Sequence, residues 1–321
     1  MNVLEIRDLS VKFHTDLGEV HAVKNFNLQL EENKIIGIVG ESGSGKTVTV
    51  NSILKLLPKN SEITGEIILN TKSKSIDINT LDSDHTLMRK IRGNEISMIF
   101  QEPMSSLSPI HKISDQITES LMINGHSKKK AYQLSIDLLE KVGISSPEIR
   151  MNQYSFELSG GIKQRIMIAI ALSNNPSILI ADEPTTSLDV TIQSQILELI
   201  QNMQLTNMMS VLYISHDMAL ISNISDYIYV MYDGYLMEKG TVDDIIGNGK
   251  HPYTNGLISS IPKAEYTGKL NTIGGNIEKS LVQKEGCPFS KRCERKIIQC
   301  DISFPKETIV NDNHTYFCHN I

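Results

Sequence analysis

The sequence predicts an α/β fold with a parallel core sheet, and three observations carry that prediction. Apolar strand-like runs at residues 34–39, 178–181 and 211–214 each end in a polar cluster. Segments of helical periodicity separate them, the alternation that places strands side by side with functional groups at their C-terminal ends. The first run opens onto Gly40-Glu41-Ser42-Gly43-Ser44-Gly45-Lys46-Thr47, followed by Val50, Ile53, Leu54 and Leu57 at helical spacing until Pro58.

That octapeptide is a complete G-x-x-x-x-G-K-[ST] phosphate loop in its required context of strand, loop and helix. Its glycines let backbone N–H groups turn inward around phosphates at the positive end of the helix. Lys46 adds a point charge for the β- and γ-phosphates, and the Thr47 hydroxyl is a Mg²⁺ ligand. The chain therefore binds a nucleoside triphosphate.

Composition narrows what it does with that ligand. With 321 residues, one large domain and a smaller appendage are expected, and 40% hydrophobic residues suffice for a core. A net charge of -6 leaves no electrostatic footprint for nucleic acid, and Lys128, Lys129 and Lys130 read as a solvated helix start. The N-terminus alternates like a strand and lacks the layout of a signal peptide, so a cytoplasmic location is expected. No apolar run approaches the ~18 residues of a membrane span, so membrane association has to come through a partner.

Taken in order, residues 3–13 and 20–30 read as antiparallel strands joined at Asp16-Leu17-Gly18. Phe13, at the end of the first, is placed either to stack on a purine base or to fill the core. Residues 65–70 form another strand, and the polar stretch 71–84 reads as loop. Residues 96–100 form a strand running into Gln101. From 105 to 150 the pattern is helical, with Ala131, Leu134, Leu138 and Leu139 on one face and Gly143 as a stop. Leu158-Ser159-Gly160-Gly161 opens a helix whose apolar face is Ile162, Ile166, Ala169 and Ile170. The strand at 178–181 delivers Asp182 and Glu183; a helix covers 190–203; the strand at 211–214 delivers Ser215, His216 and Asp217. Asp233-Gly234 marks a hairpin, and a domain boundary is expected near Lys250.

With these residues in hand, the chain resembles the ATPase subunits of ATP-binding-cassette (ABC) transporters. The motifs follow one another in the family's order: phosphate loop, Gln101, the Leu158-Ser159-Gly160-Gly161 signature, Asp182-Glu183, the Ser187-Leu188-Asp189 loop and the switch His216. A lone Leu-Ser-Gly-Gly or a strand-end Asp-Glu is weak, since strand-end acids and His216 also occur as ordinary capping residues. Together they are specific.

The resemblance implies a cassette over residues 1–250, with a parallel core sheet, an antiparallel β subdomain and a helical subdomain at about 104–160. It implies Mg²⁺ held by Thr47, Gln101 and Asp182, water polarised by Glu183 and a γ-phosphate contact from His216. It also implies head-to-tail pairing, with Ser159, Gly160 and Gly161 covering the ATP of the partner. Ile162 stands where the family usually has Gln; an apolar residue there marks the peptide-importer branch.

Residues 251–321 resemble the tail of oligopeptide, dipeptide and nickel importer ATPases, through His251-Pro252-Tyr253-Thr254, Ile261-Pro262, Gly286-Cys287-Pro288-Phe289, Arg292-Cys293, Cys300 and Cys318-His319. The expected function is ATP hydrolysis that powers import of oligopeptides or dipeptides. The partners implied are two membrane permeases, a second paralogous ATPase and, indirectly, an extracellular substrate-binding protein. Nickel or metal-chelate import is the alternative. A soluble ATPase of DNA repair or translation would carry a second cassette, a coiled coil or a basic face, and a non-hydrolysing regulator would not need Glu183 and His216. The expected location is the cytoplasmic face of the cell membrane.

All four cysteines, Cys287, Cys293, Cys300 and Cys318, lie in the tail, and in a reducing compartment they favour metal over disulfide. Their wide, irregular gaps suit a 4Fe-4S cluster better than structural Zn²⁺, which draws cysteines as tight pairs; unligated thiols are the third reading.

Overall fold

A computed structural model describes residues 1–101, 106–186, 188–261, 273–275 and 285–320. Met104, Ser105, Ser187 and Pro262, which figured in the sequence reading, lie outside the described residues. The chain forms two compact units, Met1–Ser83 with Leu212–Ile321, and Asp84–Val211.

The first unit begins with β1 (Asn2–Thr15) and β2 (Gly18–Glu31), antiparallel and closing at Thr15 opposite Gly18. Alternation decides which face is covered: Leu4, Ile6, Leu9, Val11, Val23, Phe26, Leu28 and Leu30 are buried, while many of the residues between them reach solvent. Next come β3 (Ile35–Val39), buried throughout, and α1 (Lys46–Ile53). β4 (Ser61–Asn70) and β5 (Ser75–Asp77) complete a four-stranded sheet in the order β2-β1-β4-β5.

The stretch read as loop at 71–84 therefore contains β5 and a 3-10 turn at Ile78–Thr80. Only Ile76 and Ile78 are buried there, too few apolar positions for a period to show among polar neighbours.

The second unit opens with α2 (Thr86–Asn94), interrupted by non-helical backbone at Arg92 and Gly93, and β6 (Ile96–Ile99). The helices α3 (Ile113–Ile123), α4 (Lys128–Lys141) and α5 (Pro147–Met151) follow, then α6 (Gly160–Leu172), and α3, α4 and α6 pack on one another. The covered face of α4 is Ala131, Ser135, Ile136 and Leu139, rotated from the expected one. Ser135 is tolerated there because its hydroxyl donates to the Ala131 carbonyl at 2.8 Å. α6 is covered on several sides, with Lys163 and Gln164 buried beside Ile166 and Ala169, whereas Ile162 and Ile170 are only half-buried. β7 (Ile178–Asp182) runs parallel to β6, and α7 (Val190–Asn207) ends the unit, capped by the Asp189 carboxylate.

The chain re-enters the first unit through β8 (Ser210–Ser215) and α8 (Met218–Ile224), then β9 (Tyr227–Tyr232), parallel to β3, and β10 (Tyr235–Thr241), antiparallel to β9. α9 (Val242–Asn248) and α10 (Pro252–Ser259) follow, the latter with proline in its first turn and capped by His251. The tail adds α11 (Gln299–Ile302), β11 (Glu307–Ile309) and β12 (Thr315–Phe317). β12 pairs with β10 through Glu238 opposite Tyr316 and Lys239 opposite Thr315, so residues beyond 250 extend the sheet that contains β3.

Candidate functional site: a nucleotide loop and an acidic strand end

In the first unit β3 feeds the phosphate loop. Gly43 and Gly45 adopt φ of +84° and +103°, the left-handed region that side chains disfavour. A Cβ on Gly40 would strike the Met231 carbonyl of β9, and one on Gly45 would lie 2.6 Å from the Ala22 carbonyl. The helix beginning at Lys46 has no side-chain cap hydrogen bond at its start, and the leading N–H groups of a helix are the ones that receive an anion. The Lys46 side chain is buried and its ammonium donates to the Gly40 carbonyl (2.7 Å), the Glu41 carbonyl (3.0 Å) and the Ser44 hydroxyl (3.4 Å). Ser42 is exposed, and Thr47 is half-buried in the helix's opening turn.

Phe13 is half-buried at the end of β1, opposite Val20 on one side and Ser61 on the other. His216 is exposed just after β8, while the neighbouring Asp217 takes the capping role by accepting from the N–H groups of Ala219 and Leu220.

In the second unit, strand register builds the site. β6 and β7 run parallel with Ile99 beside Ala181, so Gln101 and Glu183, each two residues further on, leave the sheet at the same level. The Gln101 amide donates to the Glu183 carboxylate at 3.4 Å, and the Thr186 hydroxyl donates to the same oxygen at 3.0 Å. Glu183 stands at φ +45°, a costly conformation for a residue with a Cβ and one that collects at functional sites. Asp182 is fully buried at the end of β7. Ser159 is exposed at the start of α6 and makes no side-chain cap, so the N–H groups of Gly160 and Gly161 remain available to an anion.

The tail contributes residues that motif reading missed. Arg292 grips the Glu41 carboxylate with both terminal nitrogens, at 2.8 and 3.0 Å, and the Tyr253 hydroxyl accepts from the Glu41 N–H at 2.8 Å. Phe289 packs edge-on against Tyr232 and tilted against Tyr253, with ring centroids 5.3 Å apart in both cases. Tyr253 sits in the His-Pro-Tyr-Thr signature, but no local signal ties Arg292 to a residue some two hundred and fifty positions earlier.

Among the cysteines, Cys287 and Cys300 are buried, and the Cys287 N–H donates to the Cys300 carbonyl at 2.8 Å. Burial pushes the Cys287 thiol up to about 12 and also raises Cys293 and Cys318, with the neighbouring thiols adding to each shift. Among the described residues, however, no three His, Cys, Asp or Glu side chains are placed to hold a metal ion.

The loop, the acidic strand end and the open helix start define an α/β ATP-binding cassette of the phosphate-loop class. Residues 23–186 match the ABC transporter family, and residues 237–300 match the C-terminal region of oligopeptide/dipeptide transporters. The dipeptide transport ATP-binding protein DppD of Bacillus subtilis (strain 168) is 43% identical over 320 residues, covering 98% of this chain and 94% of the relative. The oligopeptide transport ATP-binding protein OppD of the same organism is 46% identical over 295 residues, covering 90% of this chain and 81% of the relative. Among solved structures, the dimeric bacterial ABC transporter cassette MJ0796 superposes with a TM-score of 0.65 at 26% identity, over 74% of this chain and 98% of that one. The same cassette is also known in a post-hydrolysis state bound to ADP and Pi, with the same score and coverage. The chain belongs to the ABC transporter family, as an ATP-binding subunit.

Proposed function

We propose that this chain hydrolyses ATP to power import of oligopeptides or dipeptides through a membrane ABC transporter. One observation carries the reading: an ABC transporter match and an oligopeptide/dipeptide tail match occur on the same chain. The names of the relatives support it.

In this reading Lys46 and the loop N–H groups bind the phosphates, Phe13 stacks on the base, and Thr47, Gln101 and Asp182 hold Mg²⁺. Bound Mg²⁺ neutralises charge on the phosphate oxygens. Glu183 polarises the attacking water; its contacts with Gln101 and Thr186 hold the carboxylate ready, and its strained backbone fits that task. His216 contacts the γ-phosphate, and Ser159, Gly160 and Gly161 close over the ATP of a paired subunit.

The partners are two permeases, a paralogous ATPase and an extracellular binding protein that selects the substrate. No helix among the described residues is long and apolar enough to cross a membrane, which fits a peripheral subunit held at the cytoplasmic face through the permeases. In the tail, Cys287, Cys293, Cys300 and Cys318 would ligate a 4Fe-4S cluster. What supports a cluster over a lone zinc ion is the wide, irregular spacing of these cysteines along the sequence. The cluster's role would be to fix the fold of a segment with little core of its own.

The test is reconstitution with the permeases and binding protein in vesicles. ATP-dependent uptake of a labelled di- or oligopeptide is expected. Uptake of nickel or a metal chelate instead would replace the substrate class, and absence of any uptake with intact ATP turnover would overturn the transport reading.

A further inference from the structure

Glu41 is an acidic residue inside a loop built to receive a triphosphate. Its backbone faces the nucleotide machinery, since its carbonyl accepts from the Lys46 ammonium at 3.0 Å. Its side chain is held in a polar clamp supplied by the tail. The guanidinium of Arg292 is nearly buried, with its side chain 8% exposed, and every one of its nitrogens is occupied. The two terminal nitrogens hold the Glu41 carboxylate as a fork, one of them also donating to the Tyr232 hydroxyl at 3.2 Å and the other to the Ile273 carbonyl at 3.2 Å. The Nε donates to the Gly274 carbonyl at 2.7 Å. The guanidinium carbon lies 5.6 Å from the Tyr232 ring centre and 5.8 Å from that of Phe289. The Tyr253 hydroxyl accepts from the Glu41 N–H, so backbone and side chain are both held.

Electrostatics gives this clamp a consequence for binding. A free carboxylate in the loop would repel the incoming phosphates and compete with them for Lys46, and at low effective dielectric such terms are large. A bidentate arginine cancels the charge and fixes its position; a lysine or a water would do only part of this.

We propose that Arg292 is a positioning residue for ATP: by neutralising Glu41 and holding it away from the phosphates, it makes the nucleotide affinity of the loop depend on the tail. Arg292 sits in the 3-10 turn Ser290–Arg292, directly before Cys293, so the turn that carries the clamp is continuous with the cysteine-bearing segment. The proposal rests on ATP binding by the loop and not on the identity of the transported substrate.

The test is titration of the full-length chain with a fluorescent ATP analogue and Mg²⁺. R292M and R292Q should each weaken binding about tenfold, the scale of one charge-assisted fork lost. Adding E41Q to R292M should bring affinity back to within about threefold of wild type, because no carboxylate is then left to neutralise. A purely structural prop predicts the opposite, with the double variant at least as weak as the single one. In the assembled transporter R292Q should raise the KM for ATP while leaving kcat within about twofold. Wild-type affinity in both single variants, or no recovery in the double variant, overturns the proposal. R292Q retains hydrogen-bonding groups for the neighbouring carbonyls and serves as the folded control if R292M does not fold.

Discussion

Glu238 and His314, both fully buried and 76 positions apart, share a hydrogen bond of 2.7 Å. The same carboxylate accepts from the backbone N–H groups of Lys250 (2.7 Å) and His251 (2.9 Å), so one side chain of β10 gathers the start of α10 and the residue just before β12. Removing either partner strands a polar group away from water. Glu238→Ala should cost about 3 kcal/mol of stability and His314→Ala somewhat less. The double variant should lose less than the sum, which thermal or urea melts of the three variants would show. Additive losses would mean that the two residues act separately.

His251 gives a pH dependence of defined sign. Burial holds its imidazole down at about 3, far below the ordinary value of 6.5. Between those values the unfolded chain takes up a proton that the native chain refuses, so stability falls as pH drops through this window, by at most about 1.4 kcal/mol per pH unit. His251→Asn retains an acceptor for the Tyr253 N–H that caps α10 and removes the titration. Its melting temperature should therefore fall less than that of wild type between pH 7 and pH 4. Parallel curves for the two proteins would refute the assignment.

Glu183→Gln keeps the size of the side chain and removes its negative charge. ATP turnover in the assembled complex should drop by about a hundredfold or more, with nucleotide binding retained. Lys46→Ala should instead weaken binding itself, since its ammonium is the charge of the phosphate loop. Equal turnover in Glu183→Gln and wild type would remove Glu183 from the water-activating role.

If the tail holds a 4Fe-4S cluster, anaerobically purified protein is brown and contains iron and sulfide in equal amounts, and Cys293→Ser loses both. Colourless protein with stoichiometric zinc would put the runner-up in its place. No metal in freshly purified anaerobic protein would leave the four cysteines as thiols.

Pairing is testable through stoichiometry. The chain alone should be mostly monomeric and slow, and addition of the paralogous ATPase with the permeases should raise turnover. Full activity as a stable homodimer would rule out the mixed pair.

Much of this was legible in the sequence because the signals are local. The phosphate loop, the strand before it and the helix after it lie within about twenty residues, and their chemistry fixes their conformation. The hairpin of β1 and β2 and the core strands β3, β7 and β8 were equally visible, since each is a short apolar or alternating run. What stayed hidden depends on distant partners. β5 has too few apolar residues to announce itself, and the buried face of α4 follows its neighbouring helices more than its own leucines. The meeting of Gln101 with Glu183 is a matter of register between two strands, and the Arg292 fork on Glu41 joins opposite ends of the chain. Neither leaves a trace in local composition.

The pairing of β12 with β10 has a consequence for biosynthesis. Without β12, β10 would present an open row of backbone donors and acceptors, the template on which chains join edge to edge. Among the described residues that row ends in β11, three exposed residues long, a margin too short to recruit another chain. Synthesis reaches β10 well before β12, so the strand is made before the one that pairs with it. Chains cut off before Thr315 are accordingly expected to clump in the cell, even though the whole nucleotide-binding apparatus precedes the cut.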